Sequence, residues 1–476
     1  MKSLALGLIA CLLLTVSTCA ADAKQKNVLF LVADDLNCDL GCYGHSQVKS
    51  PNIDRLASRG VRFEHAYCQY PLCSPSRTSF LTGRRPNATH IHTNANSFGR
   101  GRNNTASPHF REFIPDTVTL PELFRKNDYF VARIGKLYHY GVPGEIGTNG
   151  LDDNQSWDFV VNPAGRDKAE ENKVFSLVPG SYGGTLSWLA ADGTDDEQTD
   201  GLTATAAISL LNEHKDKPFF LAVGFYRPHT PYVSPKNYFT HYPTNGITLP
   251  ELSDADKVRE PKAAYLSAKK DQEDISDAVR KEAIQAYWAS IEFMDAQVGK
   301  VLAELDRLKL TDQTIVVMIS DHGYHMYQHG LWQKMSLFEN AARVPCIISA
   351  PGAKGNGHST EALAELVDLY PTLADLCGLK TPEYVDGVSQ VKVLNDPAAS
   401  VRDHALTQVR RGKKDGYSIR TPQFRYTSWD GGQDGEQLYD LTADPGEMQN
   451  LASDPAFSGQ MQKFRELVAQ IKPEEM

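Results

Sequence analysis

The chain has 476 residues, of which 41% are hydrophobic and 23% are charged, proportions typical of a soluble globular protein with a large core. Its formal net charge is -10, and no run of lysines and arginines offsets that balance, which argues against a nucleic-acid partner. The negative charge does not exclude an anionic substrate, because a few cations focused in one pocket can bind one.

The N-terminal segment is typical of a secretory signal peptide over residues 1–23. Lys2 precedes an apolar run from Leu4 to Val16, and small residues follow. The run is too short for a membrane-spanning helix, and no later segment is long and apolar enough to be one. A lipid anchor at Cys19 is disfavoured, because the residues before it fit a lipobox poorly. We therefore predict an exported protein, in a periplasmic, secreted or lysosome-like compartment.

Four near-continuous apolar runs predict strands buried on both faces, as in a parallel sheet covered by helices. In chain order they are "NVLFLVADD", "YFVARIGKLYH", "FFLAVGFYRPH" and "TIVVMISDHG". Each run ends in side chains that can carry chemistry, namely Asp34 and Asp35, Lys136 and His139, His229, and Asp321 and His322. Because sites in open α/β sheets form at the carboxyl ends of the strands, we expect these side chains to converge.

Helical patterns lie between and after these strands. Apolar residues recur at helical spacing in "PNIDRLASRG", "KEAIQAYWASIEFMDAQVGKVLAELDRL" and "ALAELVDLYPTLADLCG", with Gly378 as a C-cap of the last. Beyond about residue 380, the β-rich pieces "YSIRTPQFRYTSW" and "EQLYDLTADP" precede a final helix. We predict an α/β catalytic domain over residues 24–380 and a smaller α+β subdomain with a short antiparallel sheet over residues 381–476.

The acidic residues at two of the strand ends favour a metal site. Asp34, Asp35 and Asp321 would repel one another unless a cation lies among them. Oxygen-rich ligation favours calcium, with magnesium as a weaker alternative, and His322 is the unusual member because a hard cation prefers oxygen. Each aspartate could instead cap a turn after its strand. The two pairs together, beside Cys73, favour the metal.

A second set of side chains is cationic or can become so. Its members are Arg77, Lys136, His139, His229 and Lys334. A lone lysine or histidine is usually solvated or structural, but Lys136 has apolar neighbours and Lys334 follows soon after the Asp-His pair. Such cations suit the charge that develops on a transferred oxyanion group.

Cys73 lies in "PLCSPSRTSF", two residues before a proline and four before Arg77. The six cysteines beyond the predicted signal are irregularly spaced, which indicates neither a disulfide scaffold nor a zinc site. A thiol nucleophile would need a histidine base and would leave the predicted metal unexplained. A disulfide would explain neither the proline nor the arginine.

The longer string "PLCSPSRTSFLTG" resembles the signature of the type I, formylglycine-dependent sulfatase family, and "GKLYH" resembles the second motif of that family. The resemblance spans nearly the whole mature chain, through "DDLNCDLGCYGHSQVKSPNIDRLASRG", "FFLAVGFYRPHTPY", "SDHGYHMYQHGLWQK" and "GYSIRTPQFRYTSW". It implies an alkaline-phosphatase-like sandwich with a large mixed, mostly parallel central sheet flanked by helices. It also implies hydrolysis of a sugar sulfate monoester, with a 2-O-sulfated uronic acid as the substrate of the subgroup it resembles.

The resemblance assigns roles position by position. A maturation enzyme would convert Cys73 to formylglycine, an oxygen of which would bind calcium with Asp34, Asp35, Asp321 and His322. The expected catalytic residues are Cys73, Arg77, Lys136, His139, His229, Asp321 and Lys334. The expected contacts to the sulfated saccharide are Arg77, Lys136, His229, Lys334, Asn94, Asn96, Tyr324 and His329, because sugar recognition is expected in "THIHTNANSFGRG" and around Tyr324.

The implied mechanism uses the two hydroxyls of a hydrated aldehyde. The first attacks sulfur with Asp321 as base, and His229 or Lys334 protonates the departing sugar oxygen. The second hydroxyl loses its proton to His139, and inorganic sulfate leaves. Arg77 either stabilises the sulfuryl oxygens or holds the formylglycine in position.

Three alternative functions remain open. The chain could be an exo-sulfatase of algal or other sulfated polysaccharides such as ulvan, a phospho- or phosphonate esterase of the same superfamily, or a catalytically inactive sugar-binding relative. The intact set of residues from Asp34 to Lys334 argues against the last.

Overall fold

The structure is a computed structural model that describes residues 25–94 and 109–471. The predicted signal peptide, with Cys19, and the predicted sugar contact Asn96 lie outside the described residues. Within the described ranges, no helix combines the length and the apolar character needed to cross a membrane.

Eighteen strands and thirteen α-helices alternate along the described residues. The strands are β1 (Asn27–Asp34), β2 (Val61–Tyr67), β3 (Phe130–Gly135), β4 (Phe159–Val161), β5 (Phe175–Ser176), β6 (Ser187–Ala191), β7 (Phe219–Pro228), β8 (Tyr232–Pro235), β9 (Thr314–Ser320), β10 (His325–Met326), β11 (Trp332–Gln333), β12 (Arg343–Val344), β13 (Cys346–Ser349), β14 (Ser359–Glu365), β15 (Ala405–Arg411), β16 (Lys414–Arg420), β17 (Phe424–Trp429) and β18 (Glu436–Asp440). The helices are α1 (Pro51–Ala57), α2 (Cys73–Thr82), α3 (Pro86–Thr89), α4 (Leu120–Arg125), α5 (Arg166–Ala169), α6 (Thr199–His214), α7 (Lys236–Phe239), α8 (Asp254–Val258), α9 (Asp277–Arg307), α10 (Glu339–Ala342), α11 (Leu369–Leu376), α12 (Val391–Asn395) and α13 (Ser458–Ile471).

A large mixed sheet forms the centre of the molecule. In the described part of the chain it has nine strands in the order β12-β2-β13-β9-β1-β7-β3-β4, with β14 also paired to β2. The central pairs β9-β1, β1-β7 and β7-β3 are parallel, whereas β13 runs antiparallel to both β9 and β2. The predicted mixed, mostly parallel sheet is therefore confirmed.

The central strands are buried on both faces because helices cover both sides of the sheet. Alternate side chains of β1 point to opposite faces, as the strand period of two requires. Leu29 and Leu31 belong to the apolar cluster that includes residues of α6 and α9, while Val28 and Phe30 belong to the cluster that includes residues of α2, α4 and α11. Burial of each such side chain contributes about 1.5–3 kcal/mol to folding, so the two layers hold the strand ends firmly in place.

A smaller antiparallel sheet lies towards the C-terminus, as predicted. Its strands follow the chain order β15-β16-β17-β18, and α13 packs against it, with the rings of Tyr426 and Phe464 stacked 5.3 Å apart. The first strand also contacts the segment after β2, where the amide of Gln408 donates to the carbonyl oxygen of Gln69 at 2.9 Å. The division of the chain at residue 380 stays a prediction.

One predicted helix is only partly correct. The first four residues of "ALAELVDLYPTLADLCG" belong to β14, the next three form a 3-10 turn, and the helix α11 begins at Leu369. The apolar residues of this segment fit either period, and the parallel pairing of β14 with β2, which places Leu363 opposite His65, selects the strand. Gly378 follows the helix with a φ of 68°, in the left-handed conformation expected of a capping glycine.

A close approach of two glycines shapes the end of β3, immediately before Lys136. Gly135 has a φ of 69°, and a Cβ at this position would lie 2.2 Å from the carbonyl oxygen of Gly224 on the neighbouring β7. Glycine is therefore required at this turn, which precedes Lys136 and its ion pair with Asp34.

We expect Gly135→Ala to lower the free energy of unfolding by more than about 2 kcal/mol, because the left-handed backbone costs about 1–2 kcal/mol and the Cβ overlaps the backbone of β7. Gly378→Ala is the matched control, since its φ is 68° but its Cβ would meet no atom within 4 Å. It should cost only about 1–2 kcal/mol, the cost of the left-handed backbone. Urea unfolding of both variants measures the difference, and equal losses would contradict the role given to the contact with Gly224.

Candidate active site

Two neighbouring strands bring the acidic residues together. Strands β1 and β9 pair in parallel with Ala33 opposite Ser320, so Asp34 and Asp321 emerge side by side at the same edge of the sheet. Asp35 follows with a φ of 64°, and its amide donates to Oδ1 of Asp321 at 3.1 Å. The convergence expected from the sequence is therefore produced by strand register.

Cys73 is the first residue of α2 and lies close to these acidic residues. Its side chain is fully buried, and Sγ lies 3.5 Å from Nε2 of His322, 3.8 Å from Oδ1 of Asp34 and 4.0 Å from Oδ1 of Asp35. All six cysteines among the described residues carry free thiols. The position of Cys73 therefore agrees with a chemical role rather than with the disulfide considered from the sequence.

Arg77 lies one turn further along α2 and joins the two strand ends. Its Nε donates to Oδ2 of Asp321 at 2.9 Å, and one Nη donates to Oδ1 of Asp34 at 3.1 Å. The other Nη donates to the carbonyl oxygens of Lys136 and Leu137 at 2.7 and 3.0 Å. Because all three nitrogens are bonded to protein atoms and the side chain is fully buried, this geometry favours the structural role over contact with the sulfuryl group.

Two lysines complete the charged cluster. Nζ of Lys136 lies 2.5 Å from Oδ2 of Asp34, and Nζ of Lys334 lies 2.6 Å from Oδ1 of Asp35 and 3.0 Å from Sγ of Cys73. Burial would raise the pKa of the Cys73 thiol, but Lys136 and Lys334 outweigh it and hold that pKa well below its usual range. Position 73 is thus an environment that stabilises negative charge.

The cluster also fits a divalent cation. Ligand atoms of Asp35, Cys73, Asp321 and His322 all lie within 4.8 Å of one another, and Oδ2 of Asp35 is buried without a hydrogen-bond partner in the described structure. His322 presents Nε2 to the cluster, because its Nδ1 lies 2.9 Å from the carbonyl oxygen of Gly323. A buried, unsatisfied carboxylate oxygen beside a second carboxylate is the arrangement that a cation would stabilise.

Asp34 differs from the other predicted ligands. It is not one of the four clustered residues, and its two oxygens are bound by Arg77 and Lys136. Burial alone would raise the pKa of Asp34, but Lys136, His229 and Arg77 together hold it well below its usual range. Asp34 is therefore an ionised carboxylate at the border of the cluster.

Two histidines border the cluster. His139 is 9% exposed, and its Nδ1 has no partner among the described residues, while burial lowers its pKa to about 4. Nε2 of His229 lies 3.7 Å from Oδ2 of Asp35, and its Nδ1 lies 2.5 Å from the carbonyl oxygen of Thr230. The structure thus brings together all seven predicted catalytic residues and all five predicted metal ligands.

The predicted sugar contacts do not all converge. Tyr324 is fully buried beneath the site, stacked on Tyr287, with its hydroxyl oxygen 3.0 Å from that of Tyr232. His329 is 4% exposed, and its Nδ1 lies 2.9 Å from Oδ1 of Asp256. Both side chains are buried and bonded to protein partners, which argues against direct contact with a sugar, and their role as sugar contacts stays a prediction.

Asn94 lies close to the catalytic helix. Its Oδ1 accepts a hydrogen bond from the amide of Ser74 at 3.0 Å, so it supports the beginning of α2. Asn94 therefore remains a candidate sugar contact at the edge of the segment that the structure does not describe.

Sequence reasoning missed two residues that support the acidic turn. Oγ of Ser320 accepts the amide of Leu36 at 2.9 Å and donates to the carbonyl oxygen of His322 at 2.8 Å. The hydroxyl of Tyr287, on α9, donates to the carbonyl oxygen of Asp35 at 2.8 Å. A serine at the end of an apolar strand is a signal that could have been used, whereas nothing in the helical pattern distinguishes Tyr287 from a core residue.

Metal binding should release protons. Burial would lower the pKa of His322, but Asp321 outweighs it and raises that pKa to about 9, while burial raises the pKa of Asp321 to about 6. Both protons must leave before these side chains can ligate a cation. We therefore expect Ca²⁺ affinity to tighten by about tenfold per pH unit between pH 7 and pH 8, where only His322 still loses a proton, and more steeply below pH 6.

Calorimetric titration of the protein with Ca²⁺ in buffers of different ionisation enthalpy measures this proton release. Asp35→Asn should abolish binding, whereas Asp256→Asn removes a buried carboxylate outside the cluster and should leave binding intact. An affinity independent of pH would contradict ligation by His322.

Comparison with known proteins agrees with this geometry. The sequence model of the family described as Sulfatase matches residues 26–379, and that described as N-sulphoglucosamine sulphohydrolase, C-terminal, matches residues 327–474. Iduronate 2-sulfatase of Mus musculus is 32% identical, over 92% of this chain and 93% of its own. A sulfatase of Formosa agariphila is 30% identical, over 95% of this chain and 89% of its own.

Solved structures share the whole fold. A 2-O GAG sulfatase superposes with a TM-score of 0.71 and 25% identity, over 94% of this chain and 92% of its own. The phosphonate monoester hydrolase of Agrobacterium radiobacter superposes with a TM-score of 0.76 over 94% of this chain and 95% of its own, but at 22% identity it supports the fold alone. Together with the family match over residues 26–379 and the convergence around Cys73, these likenesses show that the chain belongs to the sulfatase family and is a sulfuric ester hydrolase.

Proposed function

We propose that this sulfatase hydrolyses the sulfate monoester of a sugar, with a 2-O-sulfated uronic acid as its preferred substrate, and that it uses formylglycine at position 73 and a calcium ion. The observation that carries the proposal is the position of Cys73, whose Sγ lies among Asp35, His322 and Lys334 at 4.0 Å or less. In the proposal, an oxygen of formylglycine would lie near the position of that sulfur. The relatives named iduronate 2-sulfatase and the solved 2-O GAG sulfatase support the choice of substrate.

Asp35, Asp321 and His322 would hold the calcium ion, together with the oxygen at position 73 and with Asp34 at the border. When bound, the ion supplies positive charge that polarises a sulfuryl oxygen. Formylglycine in its hydrated form supplies a nucleophilic hydroxyl and a second hydroxyl on the same carbon. A maturation enzyme would be needed to produce it.

The lysines and Arg77 prepare the site for an anion. Burial would lower the pKa of Lys334, but Asp35 outweighs it and holds that pKa well above its usual range, so Lys334 keeps its proton. Lys334 therefore suits the stabilisation of negative charge on the sulfuryl group better than proton transfer. Arg77 holds Asp34 and Asp321 in place.

Proton transfer then falls to the histidines and to Asp321. Nε2 of His229 faces Asp35 at 3.7 Å, where it can hold a proton for the departing sugar oxygen. Asp321 is the base that we propose for the first hydroxyl, because its carboxylate lies in the cluster around position 73. His139 has a pKa lowered to about 4 by burial, so it is neutral at pH 7 and can accept the proton of the second hydroxyl.

Export through a signal peptide over residues 1–23 forms part of the proposal. The comparison of substrates described next also tests the two alternative activities, exo-hydrolysis of a sulfated polysaccharide and hydrolysis of a phosphonate ester.

Wild-type protein produced with a formylglycine-generating enzyme should release sulfate from a 2-O-sulfated uronic acid. Activity on sulfated algal oligosaccharides and on a phosphonate monoester should be at least about tenfold lower in kcat/KM, as for a substrate that lacks one well-placed contact. The peptide covering residues 62–84 should show the mass of the aldehyde at position 73.

Cys73→Ala should abolish sulfate release, while Cys68→Ala is the matched control, because Cys68 is a buried thiol whose Sγ contacts the carbonyl oxygen of Ala341. Higher activity on the algal oligosaccharides would show that a sulfated algal saccharide, and not the uronic acid, is the preferred substrate. Full activity with an unmodified thiol at position 73 would contradict the proposal that Cys73 is converted to formylglycine.

His139→Gln should lower kcat about 100- to 10,000-fold, the contribution typical of a general acid or base. Because burial lowers the pKa of His139 to about 4, this residue should produce no loss of wild-type kcat between pH 7 and pH 5. Stopped assays of sulfate release over pH 4–8 measure both effects, with the exposed His358→Gln as control. A kcat within about threefold of wild type for His139→Gln would exclude it as the base.

A further inference from the structure

The hairpin between β15 and β16 is fixed against the segment that leads to Cys73. The hydroxyl of Tyr70, three residues before Cys73, accepts the amide of Arg410 at 2.7 Å and lies 3.2 Å from the carbonyl oxygen of the same residue. Tyr70 is fully buried. The C-terminal sheet is therefore attached to the approach to the catalytic helix and holds the next residue of the hairpin, Arg411, in a defined place.

Arg411 contacts the chain segment that carries Lys334. One Nη lies 3.2 Å from Sδ of Met335, and the other donates to the carbonyl oxygen of Leu266. Met335 directly follows Lys334, and its amide donates to the carbonyl oxygen of Pro71 at 3.0 Å. Arg411 thus contacts the residue that follows Lys334, the lysine whose Nζ lies beside Cys73.

Arg411 is half-buried and has no counter-charge among the described residues. By contrast, the half-buried Arg402 and the fully buried Arg77 and Arg425 each pair with two carboxylates. A guanidinium offers five N–H donors, and the described structure gives Arg411 only a thioether and one carbonyl oxygen. Burial lowers the pKa of Arg411, with no carboxylate to offset the effect. No nitrogen of Arg411 is among the buried atoms that lack a partner in the described structure, so its remaining N–H donors are accessible to an anionic ligand, and no protein carboxylate competes for them.

We propose that Arg411 binds a second anionic group of the substrate, either a carboxylate or a second sulfate, next to the ester sulfate that is hydrolysed. This inference rests on the proposed function and names a specificity-determining contact for it. The planar fork of the guanidinium suits both groups, since each presents oxygens that can accept two parallel hydrogen bonds. The C-terminal sheet then supplies selectivity, while the central sheet supplies the chemistry.

The test compares Arg411→Ala and Arg411→Lys with Arg410→Ala. Arg410 lies on the same hairpin and has the same charge, but it is exposed and paired with Asp415 at 2.7 Å. Four substrates are used: an aryl sulfate, a 2-O-sulfated uronic acid, its methyl ester, and a neutral sugar carrying two sulfates. The aryl sulfate and the methyl ester have no second anionic group.

Arg411→Ala should lower kcat/KM about 10- to 100-fold, mainly through KM, for the acid or for the disulfated sugar, and by less than about threefold for the other two substrates. Arg411→Lys should recover part of the loss, and Arg410→Ala should change none of the four. A loss confined to the acid identifies a carboxylate as the ligand, and a loss confined to the disulfated sugar identifies a sulfate.

An equal fall of kcat on all four substrates would overturn the proposal, because it would show that Arg411 only supports the segment of Lys334. If the variants do not fold, the kcat/KM values of the wild type test the proposal. A wild type that prefers neither the acid over its methyl ester nor the disulfated sugar over a substrate with one sulfate would also overturn the proposal. If the wild type releases no sulfate from any ester, the proposed function fails, while calorimetric binding of the acid and the methyl ester still decides the role of Arg411.

Discussion

The active site depends on one guanidinium that holds two strands in register. Arg77 binds Asp34 at the end of β1 and Asp321 at the end of β9, and it also binds the carbonyl oxygens that follow β3. Three strand ends and the catalytic helix therefore meet at a single fully buried side chain. Without that cation, two carboxylates would face each other in an apolar interior, where charge repulsion is weakly screened. The arrangement fixes the positions of the groups around Cys73 before any ligand binds.

The charges of the cluster explain why it suits an anionic substrate. Three carboxylates face three largely buried cations, Arg77, Lys136 and Lys334, in direct ion pairs. Addition of a divalent cation, with His322 neutral, leaves a positive excess at the place where a sulfate ester would bind. The negative net charge of the whole protein does not oppose this, because the field in a buried site is set by its nearest groups. Fixed ion pairs also need little reorganisation during the reaction.

In the function that we propose, chemistry and selectivity would come from different parts of the fold. The cluster is built at the ends of β1, β3, β7 and β9, whose side chains are packed between two helical layers and can hardly move. The hairpin of the C-terminal sheet reaches the same site from another direction, through Tyr70 and Arg411. Because hairpin residues tolerate substitution better than a buried strand end does, selectivity can change while the reacting groups stay in place.

The sequence by itself determined the central strands and the long helix α9, and it named the side chains that the structure brings together around Cys73. Continuous apolar runs that end in charged residues favour strands of a covered sheet, and the string around Cys73 marks the helix that begins at that residue. The sequence could not decide between strand and helix for the segment before Leu369. Its apolar residues fit both the strand and the helix period, and its pairing with β2 is a contact between residues distant in sequence. Tertiary structure alone buried Tyr324 and His329, turned Arg77 towards two carboxylates, and placed Arg411 beside the segment of Lys334. Each depends on which surfaces meet, and a linear pattern of side chains does not contain that information.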